Sequence, residues 1–310
     1  MDVRGRFAPS PTGELHVGNA RTALLAWLQV RALGGKFVMR VEDLDPARAV
    51  KGSMERQLHA LKALGIDWDE GPDVGGPFAP YVQSERLEIY RDAIAKLRAA
   101  GRIYPCYCSR AEIARIAHAP HAGDEGPRYP GTCRDLSEAE RKEREASGRK
   151  PSLRFRVEPG EVEFVDLLAG RYVQNVDEVV GDFVVQRADG VFAYQLAVVV
   201  DDAAMGITHV LRGDDLLASA PRQIQLYRAL GAAPPEFAHV GLVVGPTGER
   251  LSKRDGPVSV SAMLDQGADP SRIRRELCAM SGVSGEPASF RIDQVVRGPV
   301  RWHPDGATSS

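Results

Sequence analysis

The sequence is poor in several things that would direct a first reading. It has only four cysteines in 310 residues, too few for a disulfide framework in a chain this long. It has no apolar run of the roughly 18 residues that a membrane span needs. The longest candidate, Leu196 to Ile207, is broken by Asp201 and Asp202. The start, Met1-Asp2-Val3-Arg4-Gly5-Arg6, lacks the basic head and apolar core of a secretory signal, so a cytoplasmic location is expected. An excess of one charge is missing too. Forty basic residues face 42 acidic ones, a formal charge of -2, so a nucleic-acid partner would have to be met by a local basic face. With 43% apolar and 26% charged residues, disordered and fibrous chains are excluded. The length suggests two domains, or one large domain carrying an insertion.

What is present is strand–helix alternation. Arg4 to Ala8 reads as a strand, stopped by Pro9-Ser10-Pro11-Thr12-Gly13. A helix is expected from Gly18 to the Gly34-Gly35 pair, then a strand over Lys36 to Glu42, then helices over 53–64 and 84–100. That alternation marks a parallel α/β unit. From about Gly101 the character changes. Cysteines, prolines and glycines precede the charged run Ser137 to Arg149, expected to be a solvated helix. Short alternating segments such as Leu153 to Val157 and Asp182 to Gln186 suit an antiparallel sheet. Leu196 to Val200 and Ile207 to Leu211 read as buried strands, Ser219 to Leu230 as a helix, and Val240 to Val244 as a strand. One helix is expected over Ser271 to Ser281 and another over Arg291 to Arg301. The economical arrangement is one α/β sheet interrupted by an inserted domain of about 100 residues.

Three segments carry chemistry. The first is Pro9 to Asn19, a turn that delivers His16 and Gly18 to a helix start, where backbone N–H groups and the helix dipole seat a phosphate. Gly18 lets a nucleoside approach the backbone, and His16 and Asn19 can donate to a phosphate as its charge builds. The second is Arg250-Leu251-Ser252-Lys253-Arg254-Asp255-Gly256, a basic loop suited to clamp a triphosphate. The third is Cys106-Tyr107-Cys108 with Tyr129-Pro130-Gly131-Thr132-Cys133. Three thiolates and one more ligand complete a tetrahedral zinc site, and His118 and His121, which lie between the cysteines, are the ordinary candidates for the fourth position, tyrosine being an uncommon zinc ligand.

Together, the "HIGH"-like and "KMSKS"-like signatures resemble those of class I aminoacyl-tRNA synthetases. Arg6 to Gly13, Leu15 to Ala23, Arg40 to Asp45, Val198 to Asp202, His209 to Leu216 and Pro221-Arg222-Gln223 are similar to glutamyl-tRNA synthetases, across roughly residues 4 to 256. Two signature positions depart from the pattern: Asn19 stands where the second histidine is usual, and Arg250 replaces the first lysine.

The resemblance implies a Rossmann-like parallel sheet whose first half is residues 1–100 and second half 193–256. An inserted zinc-containing α+β domain would occupy 101–192, and a short helical remnant with a polar tail 257–310. It also implies site residues. Arg6 and Arg212 would grip the glutamate side-chain carboxylate, a pairing that suits guanidinium forks. Glu42 and Tyr194 would take the α-ammonium, with Ala8 and Ser10 lining that pocket. His16, Gly18, Asn19, Arg250, Ser252 and Lys253 would bind ATP, with His16, Asn19 and Lys253 as the catalytic groups.

The Cys106, Cys108, Tyr129, Cys133 arrangement resembles the zinc site of the truncated paralogues of these enzymes, which glutamylate queuosine in tRNA(Asp). The short stretch after Gly256, too small for an anticodon-binding domain, points the same way. ATP with Mg²⁺, L-glutamate and queuosine-containing tRNA(Asp) are then the expected partners, one structural Zn²⁺ the expected cofactor, and no membrane or obligate protein partner is expected. The alternative is a shortened glutamyl-tRNA synthetase that charges the tRNA 3′ end.

Overall fold

In a computed structural model of the chain, residues 2–116, 128–245, 248 and 259–302 are described. The chain opens with β1 (Arg4–Phe7), α1 (Val17–Ala32), β2 (Lys36–Met39), α2 (Ser53–Ala63) and α3 (Leu87–Ala99). A middle stretch follows: β3 (Ile103–Cys106), α4 (Arg110–Ile116), α5 (Glu138–Ala146), β4 (Ser152–Phe155), β5 (Glu161–Asp166), β6 (Gly170–Asn175), α6 (Val176–Val179) and β7 (Val184–Gln186). Then come α7 (Tyr194–Ala204), β8 (His209–Gly213), α8 (Ala220–Leu230) and β9 (Glu236–Val240). The last elements are β10 (Val243–Val244), α9 (Val260–Asp265), α10 (Pro270–Ser281) and β11 (Val300–Arg301).

The central sheet has the order β2-β1-β8-β9, and every pairing in it is parallel. Both faces are covered, as an all-parallel sheet requires. Strand alternation divides the side chains between two cores. Phe37 and Met39 of β2, Leu211 of β8 and Ala238 of β9 pack with Leu24 and Leu28 of α1 and Leu277 of α10. Val38, Val210 and Phe237 turn to the other face and meet Leu97 of α3, Val199 of α7 and Ile224 of α8. The chain between α3 and α7 builds an antiparallel sheet β3-β4-β7 and the hairpin β5-β6. The hairpin returns to the central sheet, where Phe164 meets Phe237 edge-on at 5.7 Å. A small separate core of Tyr104, Tyr107, Ile113 and Tyr129 surrounds the cysteines. α5 buries no residue and begins with a capping box between Ser137 and Glu140, as the charged run predicts.

Three expectations fail. Leu196 to Val200 is not a strand but the heart of α7, which is buried from Leu196 through Asp202. A run that is apolar on every side carries no period to tell strand from helix. Val240 to Val244 is not one strand either. β9 stops at Val240, and β10 is a separate two-residue strand paired with β11. Gly241 makes the break possible, because a Cβ there would lie 2.1 Å from the Gly298 carbonyl oxygen. The helix expected over Arg291 to Arg301 is a single 3₁₀ turn, Ile292–Gln294, followed by β11.

Candidate active site

β1 has β2 on one side and β8 on the other, so the chain reverses its winding direction between β1 and β8. In open α/β sheets ligands bind outside the carboxyl ends of the strands at such a point. A cavity of about 670 Å³ lies there, lined by Arg6, Ala8 and Ser10 from the end of β1, Glu42 beyond β2, Tyr194 of α7 and Arg212 of β8. His16, Gly18 and Asn19 line it from the start of α1. The glutamate pocket expected from the sequence and the "HIGH"-like turn therefore share one cavity. Arg250, Ser252 and Lys253 lie outside the described residues.

α1 begins at Val17 with His16 as N-cap, and its side chain makes no capping bond. The first turn holds no acidic residue, so the positive end of the helix dipole is left to a ligand. Gly18 keeps a side chain out of the gap to Val243, whose Cβ is 3.7 Å from where the glycine's own Cβ would be. Arg21, one turn on, donates to the Gly241 carbonyl at 2.7 Å and to Ser281 Oγ at 2.9 Å, which ties α10 to the floor of the site.

The floor is a buried ion network. Arg6 Nε and Nη2 each lie 3.3 Å from an oxygen of Asp202. Arg40 Nη1 donates to Asp202 Oδ1 at 2.7 Å, and its Nη2 to Glu42 Oε1 at 3.0 Å. Arg86 and Tyr90 donate to Asp201 at 2.7 and 2.8 Å. Burial is the largest influence on the Arg6 pKa and would lower it, but Asp202, Tyr194 and Glu42 together raise it overall against burial and Arg40. Burial would raise that of Asp202, but Arg6 and Arg40 hold it below the ordinary carboxylate value. Burial pushes the Glu42 carboxyl up against the pull of Arg40 and Arg6. Tyr194 is also pushed up, first by burial. It therefore stays a neutral phenol beside Glu42, a pair suited to an ammonium group.

Arg212 stands differently. Its Nε donates to His239 Nε2 at 2.9 Å and its Nη2 to the Leu216 carbonyl at 3.3 Å, while Nη1 is buried with no hydrogen-bond partner among the described residues. Burial lowers its pKa, with Tyr194 and Asp202 opposing, and among the described residues no carboxylate pairs with it. His239 and Asp166, which stand behind it, are functional candidates that sequence reading misses. The register of β8 and β9 sets Arg212 directly opposite His239. No local motif carries that pairing, because it depends on the strand order.

The cysteine cluster lies beside this cavity. The Sγ atoms of Cys106, Cys108 and Cys133 all fall within 4.8 Å of one another, close enough to hold a metal ion. Cys108 and Cys133 are 3.6 Å apart, against the roughly 3.7 Å expected between thiolates on a tetrahedral zinc with Zn–S bonds of about 2.3 Å. The Tyr129 hydroxyl oxygen lies 3.3 Å from Cys106 Sγ and accepts the Cys133 N–H at 2.8 Å, so it sits at the cluster. The Cys106 thiol is pulled down to about 4, first by its hydrogen bond with Cys133, against burial and with help from Tyr129 and Arg154. The Cys133 thiol is pushed up, first by that same bond and then by burial, and burial pushes up Tyr129. His118 and His121 lie outside the described residues. A groove of about 980 Å³ connects the cluster to the cavity, because Ser10, Glu42, Arg48 and Tyr194 line both. Arg110 and Lys150 add positive charge along it, while Arg187 is paired with Asp45 and Asp189.

Comparison with known proteins agrees with this geometry. The family described as "tRNA synthetases class I (E and Q), catalytic domain" matches residues 2–295. The chain belongs to that family, and its parallel sheet is the Rossmann-like sheet of the class I synthetases. Within it, the chain is 56% identical to a Glutamyl-Q tRNA(Asp) synthetase of Symbiobacterium thermophilum, over 94% of this chain and 90% of that one. It is 49% identical to another protein of that name from Nitratidesulfovibrio vulgaris, over 91% and 87% of the two chains. A solved glutamate tRNA ligase from Elizabethkingia meningosepticum, in complex with its amino acid, superposes with a TM-score of 0.86 at 31% identity, over 98% of this chain and 68% of that one. No helix among the described residues is long and apolar enough to cross a membrane.

Proposed function

We propose that the chain activates L-glutamate with ATP, without requiring tRNA, and then transfers the glutamyl group to the queuosine at the wobble position of tRNA(Asp). The observation that carries this reading is the identity of 56% and 49%, over most of both chains, to proteins named Glutamyl-Q tRNA(Asp) synthetase.

In the first step a glutamate α-carboxylate oxygen bonds to the α-phosphorus of ATP, the bond to the bridging oxygen breaks, and pyrophosphate leaves. The protein positions and neutralises. Arg212 and Arg6 take the side-chain carboxylate, Glu42 and Tyr194 the α-ammonium, and Ala8 and Ser10 form the wall between them. His16 and Asn19 donate to the phosphates at the start of α1, and Gly18 leaves room for the nucleoside. Arg250, Ser252 and Lys253 are assigned to the triphosphate by the signature alone, and Mg²⁺ bound to ATP would offset part of its charge. In the second step a hydroxyl of the queuosine cyclopentene ring attacks the adenylate carbonyl and AMP leaves. The AMP phosphate takes the hydroxyl proton.

Residues 101–192 form the inserted domain, between sheet halves at 1–100 and 193–256, with 257–310 as the helical remnant and tail. One structural zinc sits in the insertion on Cys106, Cys108, Cys133 and Tyr129. The groove from this cluster to the cavity admits the anticodon loop, whose splayed nucleotide meets the adenylate.

Labelled glutamate supplied with ATP to queuosine-containing tRNA(Asp), unmodified tRNA(Asp) and tRNA(Glu), followed by nuclease mapping, tests the reading. Label on the queuosine nucleotide of tRNA(Asp) is expected. Label on the 3′-terminal adenosine would make the protein a tRNA-charging enzyme instead.

A further inference from the structure

Arg212 and His239 are directly opposite in the register of β8 and β9, so their side chains leave the sheet on one face. His239 Nε2 accepts the Arg212 Nε–H at 2.9 Å, which places the ring proton on Nδ1. His239 Nδ1 lies 2.5 Å from Asp166 Oδ2. The other oxygen, Asp166 Oδ1, accepts the backbone N–H groups of Leu168, Ala169 and His239 at 3.0, 2.8 and 3.1 Å. All three side chains are buried. The chain of bonds has a direction. Backbone donors anchor the carboxylate, the carboxylate fixes the tautomer, and the tautomer leaves a lone pair for the guanidinium.

The contrast with Arg6 shows what this arrangement achieves. Arg6 is held by a carboxylate, Asp202, which orients it and offsets its charge. Arg212 is held by a neutral imidazole, which orients it, and among the described residues no anion contacts it and its Nη1 has no hydrogen-bond partner. We infer that Asp166 and His239 are positioning residues for glutamate recognition: they fix Arg212 while leaving its charge for the substrate's side-chain carboxylate. The inference rests on the proposed role of Arg212 and adds to it the means by which carboxylate is preferred over amide.

Asp166→Asn is the informative variant. Its amide oxygen can keep the backbone donors, which turns its NH₂ toward His239. The ring must then present a lone pair at Nδ1 and a proton at Nε2, donor against donor with Arg212. Glutamate-dependent pyrophosphate exchange should show a KM for glutamate raised about tenfold or more, the effect of leaving a buried donor unpaired. The KM for ATP and kcat should stay within about twofold, since neither depends on that donor. Discrimination against glutamine should fall in parallel. His239→Leu should behave like Asp166→Asn, and His239→Gln, which can accept from Arg212 and donate to Asp166, should recover part of the loss. Unchanged glutamate KM in folded Asp166→Asn and His239→Leu would overturn the inference, as would equal losses for ATP and glutamate. Nitrogen NMR of the His239 ring reads the tautomer without any activity. A proton on Nδ1 in the wild type and on Nε2 in Asp166→Asn supports the relay, and a wild-type proton on Nε2 overturns it. If the wild type shows no glutamate-dependent exchange while the NMR result is as expected, the relay stands and the glutamate reading of the pocket falls.

Discussion

The cavity at the carboxyl ends of the central strands and the cysteine cluster beside it are adjacent, yet they suit opposite charges. In the cavity, Arg6 and Arg40 meet Asp202 and Glu42, while Arg212 Nη1 has no hydrogen-bond partner among the described residues. In the cluster, three sulfur atoms and a phenol crowd together, and their mutual bonds make one thiol acidic while another resists ionisation. The first arrangement suits an anion and the second a cation. They also differ in what holds them. Arg212 is placed by the ladder between β8 and β9, whereas Cys108 and Cys133 lie outside any strand or helix. The pocket is therefore expected to keep its shape without a ligand, and the cluster to need its metal.

The largest expected effect is on the anion side. Arg212→Ala should abolish glutamate-dependent pyrophosphate exchange, since a buried carboxylate that loses its charged partner loses about 3–5 kcal/mol. Activation near wild-type efficiency would show that the pocket has been misassigned. Thermal unfolding sharpens the test. Removing Arg212 takes away a buried charge that no described carboxylate contacts, so the melting temperature of Arg212→Ala should hold or rise, while Arg6→Ala should melt lower because Asp202 loses one of its two contacting cations. Equal destabilisation by both would erase the distinction between the two arginines.

On the cation side, protein purified without added zinc should carry about one equivalent, falling sharply in Cys108→Ala. Finding no metal in the wild type would sink the site. Tyr129→Phe should lose zinc too, and retention would return the fourth position to His118 or His121. Glutamate-dependent exchange should survive in Cys108→Ala while transfer to tRNA falls, because the cluster borders the groove and not the ion network. Transfer should also weaken steeply with salt, as phosphate contacts do. Loss of exchange together with transfer would mean that the two regions are one cooperative unit.

Much of this site is legible in the sequence, and its gaps have physical causes. Arg6, Glu42, Tyr194 and Arg212 are far apart in the chain, yet they line one cavity with His16 and Gly18, because the ends of β1, β2 and β8 and the starts of α1 and α7 meet there. Local proline and glycine chemistry marks the first turn. The stretch Leu196 to Val200 misleads because its burial on all sides hides the helical period. His239 is easily passed over because it lies in a mostly apolar strand, Glu236–Val240, where a histidine draws no attention until its cross-strand neighbour is known. Asp166 closes a hairpin, and an aspartate there has an ordinary local role in turning the chain.

The smallest effect concerns protons. Burial holds the His239 pKa below its ordinary 6.5, with Arg212 and Arg6 acting in the same direction and Asp166 opposing them. Above pH 6.5 neither the folded nor the unfolded chain protonates this ring, and it adds no pH dependence. Below that, the unfolded chain binds a proton that the folded chain refuses, so stability falls as pH falls toward the folded pKa. One proton sets a ceiling of about 1.4 kcal/mol per pH unit. Asp166 stays charged through this window, since burial would raise its pKa but His239 and backbone donors hold it below 3.8. Urea unfolding of the wild type and His239→Gln at about pH 7.5, 6.0 and 5.0 isolates the contribution, because titrations common to both proteins cancel. The wild type should lose stability more steeply on acidification. Identical slopes would mean that the folded ring takes up its proton over the same pH range as the unfolded chain, so that it is not held as the neutral acceptor that Arg212 requires.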